Sequence, residues 1–484
     1  MTGTGQFVAV DLGATSGRVM LATVGPGTFE MRQVNRFAND PIYLWNGRRT
    51  AMHWDLPNLF AHVCTGLVEA GRLAPDLISA GVDSWAVDYG LLRDGKLLGL
   101  PYNYRDSRGA AGAKIVHATL SQEQIYARNG IQFLPFNTMF QLAADHTEGL
   151  LDLADTALLV PDLIGYWLTG ATATERTNAS TTGLLGVDGR WDDELAALLG
   201  MPHGLFPGLA EPGTRLGTVL PDLAGLAGLR RGLAVTTVAS HDTASAVVAV
   251  PMAAESAAYI SCGTWGLVGV ELAGPIVDTD SRAANFTNEV GADGRIRFLR
   301  NVMGLWLLSE SVRHWERDGS RIDLPQLLAQ AEDCPATRDV FDGDDPRFGE
   351  PGDMPGRIAA WYAEHDLPAP TSRAEMARAI IESLAAGFAR GVEQAASLSG
   401  VPVETVHIVG GGAQNGLLCQ LVADRTGRPV VAGPVEATAI GNVLIQARAH
   451  GLLDGDLETL RAVMAATLSA NRFEPQRTPA GKAG

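Results

Sequence analysis

The 484-residue chain is poor in cysteine: Cys64, Cys262, Cys334 and Cys419 stand far apart, and no two have C-x-x-C spacing. That argues against a disulfide framework and a thiolate zinc site, and leaves buried free thiols. Basic residues are also short, 37 against 54 acidic ones, for a formal charge of −17. Nucleic acids and anionic membranes select for basic surface, so neither is an expected partner. A small phosphate ligand stays open, because backbone N–H groups rather than net charge usually hold it. No run of about 20 apolar residues offers a membrane span. The opening MTGTGQFVAVDLG lacks the basic segment and apolar core of a secretory leader, so the expected location is the cytoplasm. The ten histidines form no H-E-x-x-H pair, which removes the commonest zinc-hydrolase pattern.

What is present is an ordinary globular composition, 46% hydrophobic and 19% charged, in a chain too long for one core. Two large domains are expected. In FVAVDLGATSGRVMLAT, the apolar runs Phe7 to Leu12 and Val19 to Ala22 flank a glycine-bearing turn and read as a β-hairpin. AAYISCGTWGLVGVEL repeats that pattern around Ser261 to Gly266, which suggests an internal duplication with each copy opening a domain. Between them, ISAGVDSWAVDYGLL reads as strand, turn and strand. DLIGYWLTG reads as a helix ended by Gly170, and LAVTTVASHDTASAVVAV as a buried strand that turns at Ser240 into a helix. Further on, periodicity predicts a helix from about Asn301 to Glu316, a surface insertion over 317–372, and an amphipathic helix closed by Gly400. VHIVGGG is a strand entering a glycine turn, followed by a helix over Asn415 to Asp424, a strand at VVAGP and a helix at AIGNVLIQARAHG. Alternating strands and helices give the fold class α/β. The boundary falls near 245–256, dividing the chain into domains 1–248 and 249–470, with 471–484 expected as a disordered tail.

Four loops carry residues suited to phosphate or proton chemistry, and each also has a plainer reading. DLGATSGR sets Asp11 at a strand end before Gly13, Thr15, Ser16 and Gly17, then Arg18. It offers N–H groups and hydroxyls to phosphate, a carboxylate to a hydrated Mg²⁺ and a guanidinium to developing charge, or it is an ordinary hairpin turn. It is not a G-x-x-x-x-G-K-[ST] loop. SCGTWG, with Thr264, is a second close-approach turn or a tight turn with Trp265 in the core. IVGGGAQN leaves room for a flat ligand but lacks G-x-G-x-x-G. SHDTAS places His241 and Asp242 where a strand gives way to a helix. That carboxylate either takes a hydroxyl proton or stabilises the helix start. Asp83, Trp85 and Asp88, with Arg105 and Asp106, either line a polar pocket or belong to the core.

The order of these loops, with VAVDLGATSGRVML, YRDSR, GIQFLPFNT, VASHDTASAV, NVMGLWLL and HIVGGGAQN followed by AGPVEA, resembles the FGGY family of carbohydrate kinases across residues 8 to about 446. The resemblance implies two actin-like (ribonuclease H-like) domains, each a mixed sheet flanked by helices, with the active site in the cleft between them. It implies ATP-dependent phosphorylation of L-rhamnulose at its 1-hydroxyl with Mg²⁺. The sugar would lie mainly on the N-terminal domain and ATP mainly on the C-terminal one. Carried over by matching motif, Ala14, Thr15, Ser16, Gly17 and Arg18 are nucleotide-phosphate residues, Thr264 a second phosphate contact, and Gly411 an adenosine-side glycine. His241, Asp242 and Thr243 form the sugar-contacting triplet, with Asp242 as catalytic base, and Asn301 is a substrate-side asparagine. Asp11 would hold Mg²⁺ through water. Two positions depart from the pattern. Ala86 replaces a sugar-side glycine, where its methyl either narrows the pocket or is tolerated, and Ser309 replaces a nucleotide-contacting glutamine. A kinase for a related ketose such as L-fuculose, and a catalytically silent actin-like sugar sensor, are the competing readings.

Overall fold

The computed structural model describes residues 3–25, 27–317, 319, 321–336, 339–467 and 470–476. The chain divides into two compact units, the first comprising Met1–Pro251, Leu272–Arg297 and Ala437–Leu468, and the second Met252–Glu271, Phe298–Glu436 and Ser469–Gly484. These units do not follow a linear cut at 248/249, because two later segments return to the first. Side-chain amides of the helix Ala437–Ala449 explain one return: Asn442 donates to Asp83 at 2.6 Å, and Gln446 donates to the carbonyl of Val8 at 2.9 Å.

In the first unit, strands β1 (Gly5–Leu12), β2 (Ser16–Gly25), β3 (Thr28–Ala38), β4 (Ser79–Ser84), β5 (Arg215–Thr218) and β6 (Ala234–Thr236) form one sheet in the order β5-β6-β4-β1-β2-β3. The β1–β2 hairpin is antiparallel, β4 runs parallel to β1 and β6, and β5 is antiparallel to β6. Phe7 to Val10 are wholly buried on both faces, as a near-continuous apolar run in a central strand requires. The helix Leu56–Leu73 turns Leu59, Val63, Leu67 and Ala70 inward at helical spacing, and its Asp55 cap accepts from the N–H of Asn58.

In the second unit, β7 (Ala257–Cys262), β8 (Trp265–Leu272), β9 (Ile296–Met303), β10 (Thr405–Val409), β11 (Val430–Ala432) and β12 (Asn471–Phe473) run in the order β9-β8-β7-β10-β11-β12. Again a hairpin, β7–β8, is followed by parallel neighbours β10 and β11 and an antiparallel last strand. The two sheets repeat one pattern, which is the internal duplication that the two hairpins suggest. Gly170 and Gly400 close their helices in the left-handed conformation, as expected.

Three expectations are corrected. Asn301 to Met303 close a strand, and the helix begins only at Trp306. Sheet pairing of buried Val302 and Met303 overrides the apparent helical period. The 317–372 stretch is more than surface: Phe341, Phe348 and Tyr362 are at most 1% exposed and form edge-on ring pairs, and Phe341 and Phe348 are bonded to the flanking helices through Ser383 and Trp306. Asn471–Phe473 is ordered, pairing with Val430–Ala432, while 477–484 lie outside the described residues.

One close approach fixes the element that carries Asp242. The helix Ala437–Ala449 crosses the helix Asp242–Val248 so tightly that a Cβ on Gly441 would fall 1.8 Å from the carbonyl oxygen of Ser245. Backbone cannot yield as a side chain does. Gly441→Ala is therefore expected to cost about 2 kcal/mol or more and to lower Tm by several degrees in scanning calorimetry. An unchanged Tm would show that these helices have room to part.

Candidate active site

Register alone gathers three acids in the first unit. In the parallel ladder Asp11 of β1 stands opposite Asp83 of β4, and one residue on, Ser84 bridges to His241. The Ser84 N–H donates to the carbonyl of Ser240 at 2.9 Å. Asp242 therefore follows directly at the carboxyl ends of adjacent strands, where α/β sheets place their chemistry. The arrangement carries an electrostatic cost. Burial pushes the Asp83 carboxyl well above the usual range, and Asp11 and Asp242 add to the rise. Asp242 is raised too, by burial first and Asp11 after, with His241 opposing.

Each acid is held differently. Asp11 is 2% exposed and pairs with Arg18, Nε to Oδ2 at 2.8 Å. Asp83 is wholly buried; Asn442 donates to its Oδ2, while its Oδ1 has no hydrogen-bond partner among the described residues. Gln446 fixes that asparagine by donating to its Oδ1 at 2.7 Å, so the Asn442 amide N–H must face the carboxylate. Asp242 is the open member, with a side chain 30% exposed. Its Oδ1 accepts from the Thr243 N–H at 2.5 Å and the Thr243 hydroxyl at 3.1 Å, and lies 3.4 Å from His241 Nε2. No hydrogen bond among the described residues falls on Oδ2. One oxygen is tied and the other is free, as a general base needs.

The loop before Asp242 is clamped by a residue the sequence reading passed over. Glu175, wholly buried, accepts five hydrogen bonds: from the N–H and hydroxyl of Ser240 at 2.9 and 2.7 Å, from both donors of Thr177, and from the N–H of Asn178. It also serves as a helix N-cap, the only signal TERTNAS offered. Glu289 and Arg297 were likewise missed. Glu289 lies 3.2 Å from His241 Nδ1, and Arg297 Nη2 lies 3.0 Å from that nitrogen and 3.0 Å from the Glu289 carboxylate. Burial works against the Glu289 charge, yet Arg297 and His241 more than offset it and hold the carboxyl below its usual range. They come from a strand and a strand start far along the chain, without a motif.

The turn after Asp11 is short and anchored. The Gly13 N–H donates to Ser16, and Asn39 donates to the carbonyls of Gly13 and Thr15. Thr15 is exposed, Ala14, Ser16 and Arg18 are half-buried, and Gly17 is buried under Phe37. Half-buried Ala86 sits in a turn whose next residue, Val87, is held at φ +69°. A β-branched residue rarely occupies that region, and strain of this kind collects at ligand-binding turns. Asp88 anchors the turn by accepting from both indoles, Trp54 at 2.6 Å and Trp85 at 3.0 Å, so its carboxyl and Trp85 belong to the buried frame. Burial lifts that carboxyl to about 6. Asp106 is likewise structural, bound by Arg49 and two backbone N–H groups, while Arg105 stays half-buried beside Tyr104.

In the second unit, the β7–β8 turn, the residues before Trp306 and the glycine run meet. The Leu305 and Trp306 N–H groups donate to Gly263 and Thr264. Gly410, at φ +79°, lies so near Cys262 that a Cβ would approach its carbonyl oxygen to 2.9 Å. Thr264, exposed Gly411 and exposed Ser309, one turn into the helix after Leu305, thus share one neighbourhood. Asn301 is half-buried on β9. Among the described residues no three His, Cys, Asp or Glu side chains gather tightly enough to hold a metal ion directly. The unpartnered Asp83 Oδ1 beside Asp11 fits a hydrated cation.

The duplicated mixed sheet, with acids at the carboxyl ends of strands in the first unit, is a two-domain α/β architecture, and its kinase class is given by the family it matches. Residues 7–249 and 258–450 match the N- and C-terminal domain models of the FGGY family of carbohydrate kinases. The chain is 43% identical to a rhamnulokinase of Pectobacterium carotovorum over 97% of its length and 93% of that protein's. It is 38% identical to one of Bacteroides thetaiotaomicron, over 97% and 96%. In fold it is similar to a gluconate kinase from Lactobacillus acidophilus (TM-score 0.75, 17% identity, 98% of this chain and 94% of that one) and to a xylulose kinase from Rhodospirillum rubrum (0.75, 20%, 98% and 94%). The chain belongs to the FGGY family of carbohydrate kinases.

The acid cluster predicts a pH effect of definite sign. A carboxyl whose folded pKa is raised contributes stability below its unfolded value of about 4, and that contribution is lost as pH rises through the folded value. Asp83→Asn should therefore gain Tm over the parent as pH is raised from about 5 to 8 and show little gain near pH 4. Parallel Tm–pH curves for the two proteins would show that Asp83 carries no such load.

Proposed function

We propose that this carbohydrate kinase transfers the γ-phosphoryl group of ATP to the 1-hydroxyl of L-rhamnulose. The observation that carries the reading is Asp242, with Oδ1 tied by Thr243 and faced by His241 while Oδ2 stays open. The identity to rhamnulokinases over nearly the whole chain supports the choice of sugar. The acceptor hydroxyl donates to Oδ2. As its oxygen bonds to the γ-phosphorus, the bond from that phosphorus to the β–γ bridging oxygen breaks, ADP leaves, and the hydroxyl proton passes to Asp242.

On this reading the N-terminal unit serves mainly the sugar and the C-terminal unit mainly the nucleotide. His241 and Thr243 position the acceptor and the base, with Ala86 on its strained turn and Asn301 completing the sugar contacts. Ala14 to Arg18 and Thr264 meet the nucleotide phosphates, Gly411 serves its adenosine side, and Ser309 stands at a further nucleotide-contacting position. Asp11, with Asp83 behind it, would hold Mg²⁺ through water, and the ion supplies charge neutralisation to the phosphates. The expected location is the cytoplasm, where ATP is supplied.

The test is ADP release across a panel of ketoses, with product phosphate located by phosphorus–proton correlation. L-rhamnulose should give kcat/KM at least about tenfold above L-fuculose and xylulose, with the ester on the C1 methylene. Equal turnover of the three sugars, or an ester elsewhere, would defeat the assignment of substrate.

A further inference from the structure

Arg297 has no exposed surface, yet it reaches two titratable groups at once. Its Nη2 lies 3.0 Å from His241 Nδ1 and 3.0 Å from Glu289 Oε2, and its Nε and Nη2 donate to the carbonyl of Val290 at 3.3 and 3.2 Å. A guanidinium carries only donors, so a hydrogen bond between the two requires a lone pair on Nδ1. In a neutral ring the proton then sits on Nε2, the nitrogen 3.4 Å from Asp242 Oδ1. Glu289, 3.2 Å from Nδ1, is the competing partner and would draw a proton to that nitrogen if Arg297 were not lodged beside both.

We infer that Arg297, charge-balanced by Glu289, is a positioning residue that sets the His241 tautomer, so that Nε2–H faces Asp242 Oδ1 and Oδ2 is left to the acceptor hydroxyl. Every charged group that faces the ring enters this choice: Glu289 and Arg297 on one side, and Asp242, backed by Asp11 and Asp83, on the other. Thr177 holds the ring's backbone, accepting from the His241 N–H at 3.2 Å. Removing Arg297 alone would strand a buried carboxylate, so the informative variant neutralises both partners.

The catalytic consequence rests on Asp242 being the base, whereas the tautomer is read without turnover, so the two can fail separately. The full chain, labelled with ¹⁵N-histidine, is observed in long-range nitrogen–proton spectra near pH 7.5, with the His241 signals assigned by their loss in His241→Gln. The wild type should show a neutral ring protonated on Nε2. A ring protonated on Nδ1, or on both nitrogens, overturns the inference. In Glu289→Gln/Arg297→Met the Nδ1–H form should appear, and kcat should fall roughly tenfold or more with KM for ATP unchanged. Retention of the Nε2–H form in that variant, or loss of that form without loss of kcat, also overturns it. If the double variant does not fold, the wild-type spectrum still decides.

Discussion

Like charges resist being brought together, and this fold brings three together by pairing strands in parallel. Asp11 and Asp83 are direct neighbours in the ladder, and Asp242 follows the next bridge, so none can move off without breaking sheet register. A one-residue slip would turn every side chain of a strand to the opposite face, which buried β1 cannot accept. Repulsion is thus built in and held by the hydrophobic core. Carboxylates pushed up in pKa, one of them with an unsatisfied oxygen, are what a cation or a transferred proton relieves.

Around that cluster the supporting groups have separate tasks. Gln446 orients Asn442, and Asn442 restrains Asp83. Glu175 gathers five donors, two of them on Ser240, and so sets where the chain leaves its strand before Asp242. Gly441 lets one helix lie against the backbone of another, fixing the helix that Asp242 begins. Arg297 and Glu289 act on His241. Each is buried, and each makes contacts that a different residue type would not reproduce.

Much of this was legible in sequence for a local reason. The two hairpins, the strand-to-helix turn at SHDTAS and the helix stops at Gly170 and Gly400 depend on neighbours a few residues apart. Asp11 and Asp242 were visible as acids at strand ends, although spacing alone favoured the helix-start role for Asp242 over the base. Only its company, set by motif order, favoured the base. What was not legible depends on distant pairings. Asn442 lies 359 positions from the carboxylate it serves, and Glu175 lies 65 from Ser240. The 301–303 error has the same origin, since a sheet partner elsewhere decides whether an apolar run is strand or helix. The strain at Val87 has no signature in residue type.

Proton removal from the acceptor hydroxyl, as proposed, depends on the free oxygen of Asp242. Asp242→Asn keeps an oxygen to accept from Thr243 while removing the carboxylate proposed to take the proton. Ketose phosphorylation and ATP binding measured on the same preparation of that variant give the most direct test. Turnover should fall by roughly 10² to 10⁴ with nucleotide affinity within about threefold of the parent. Near-parental turnover would contradict the account, because some other group would then be removing the proton.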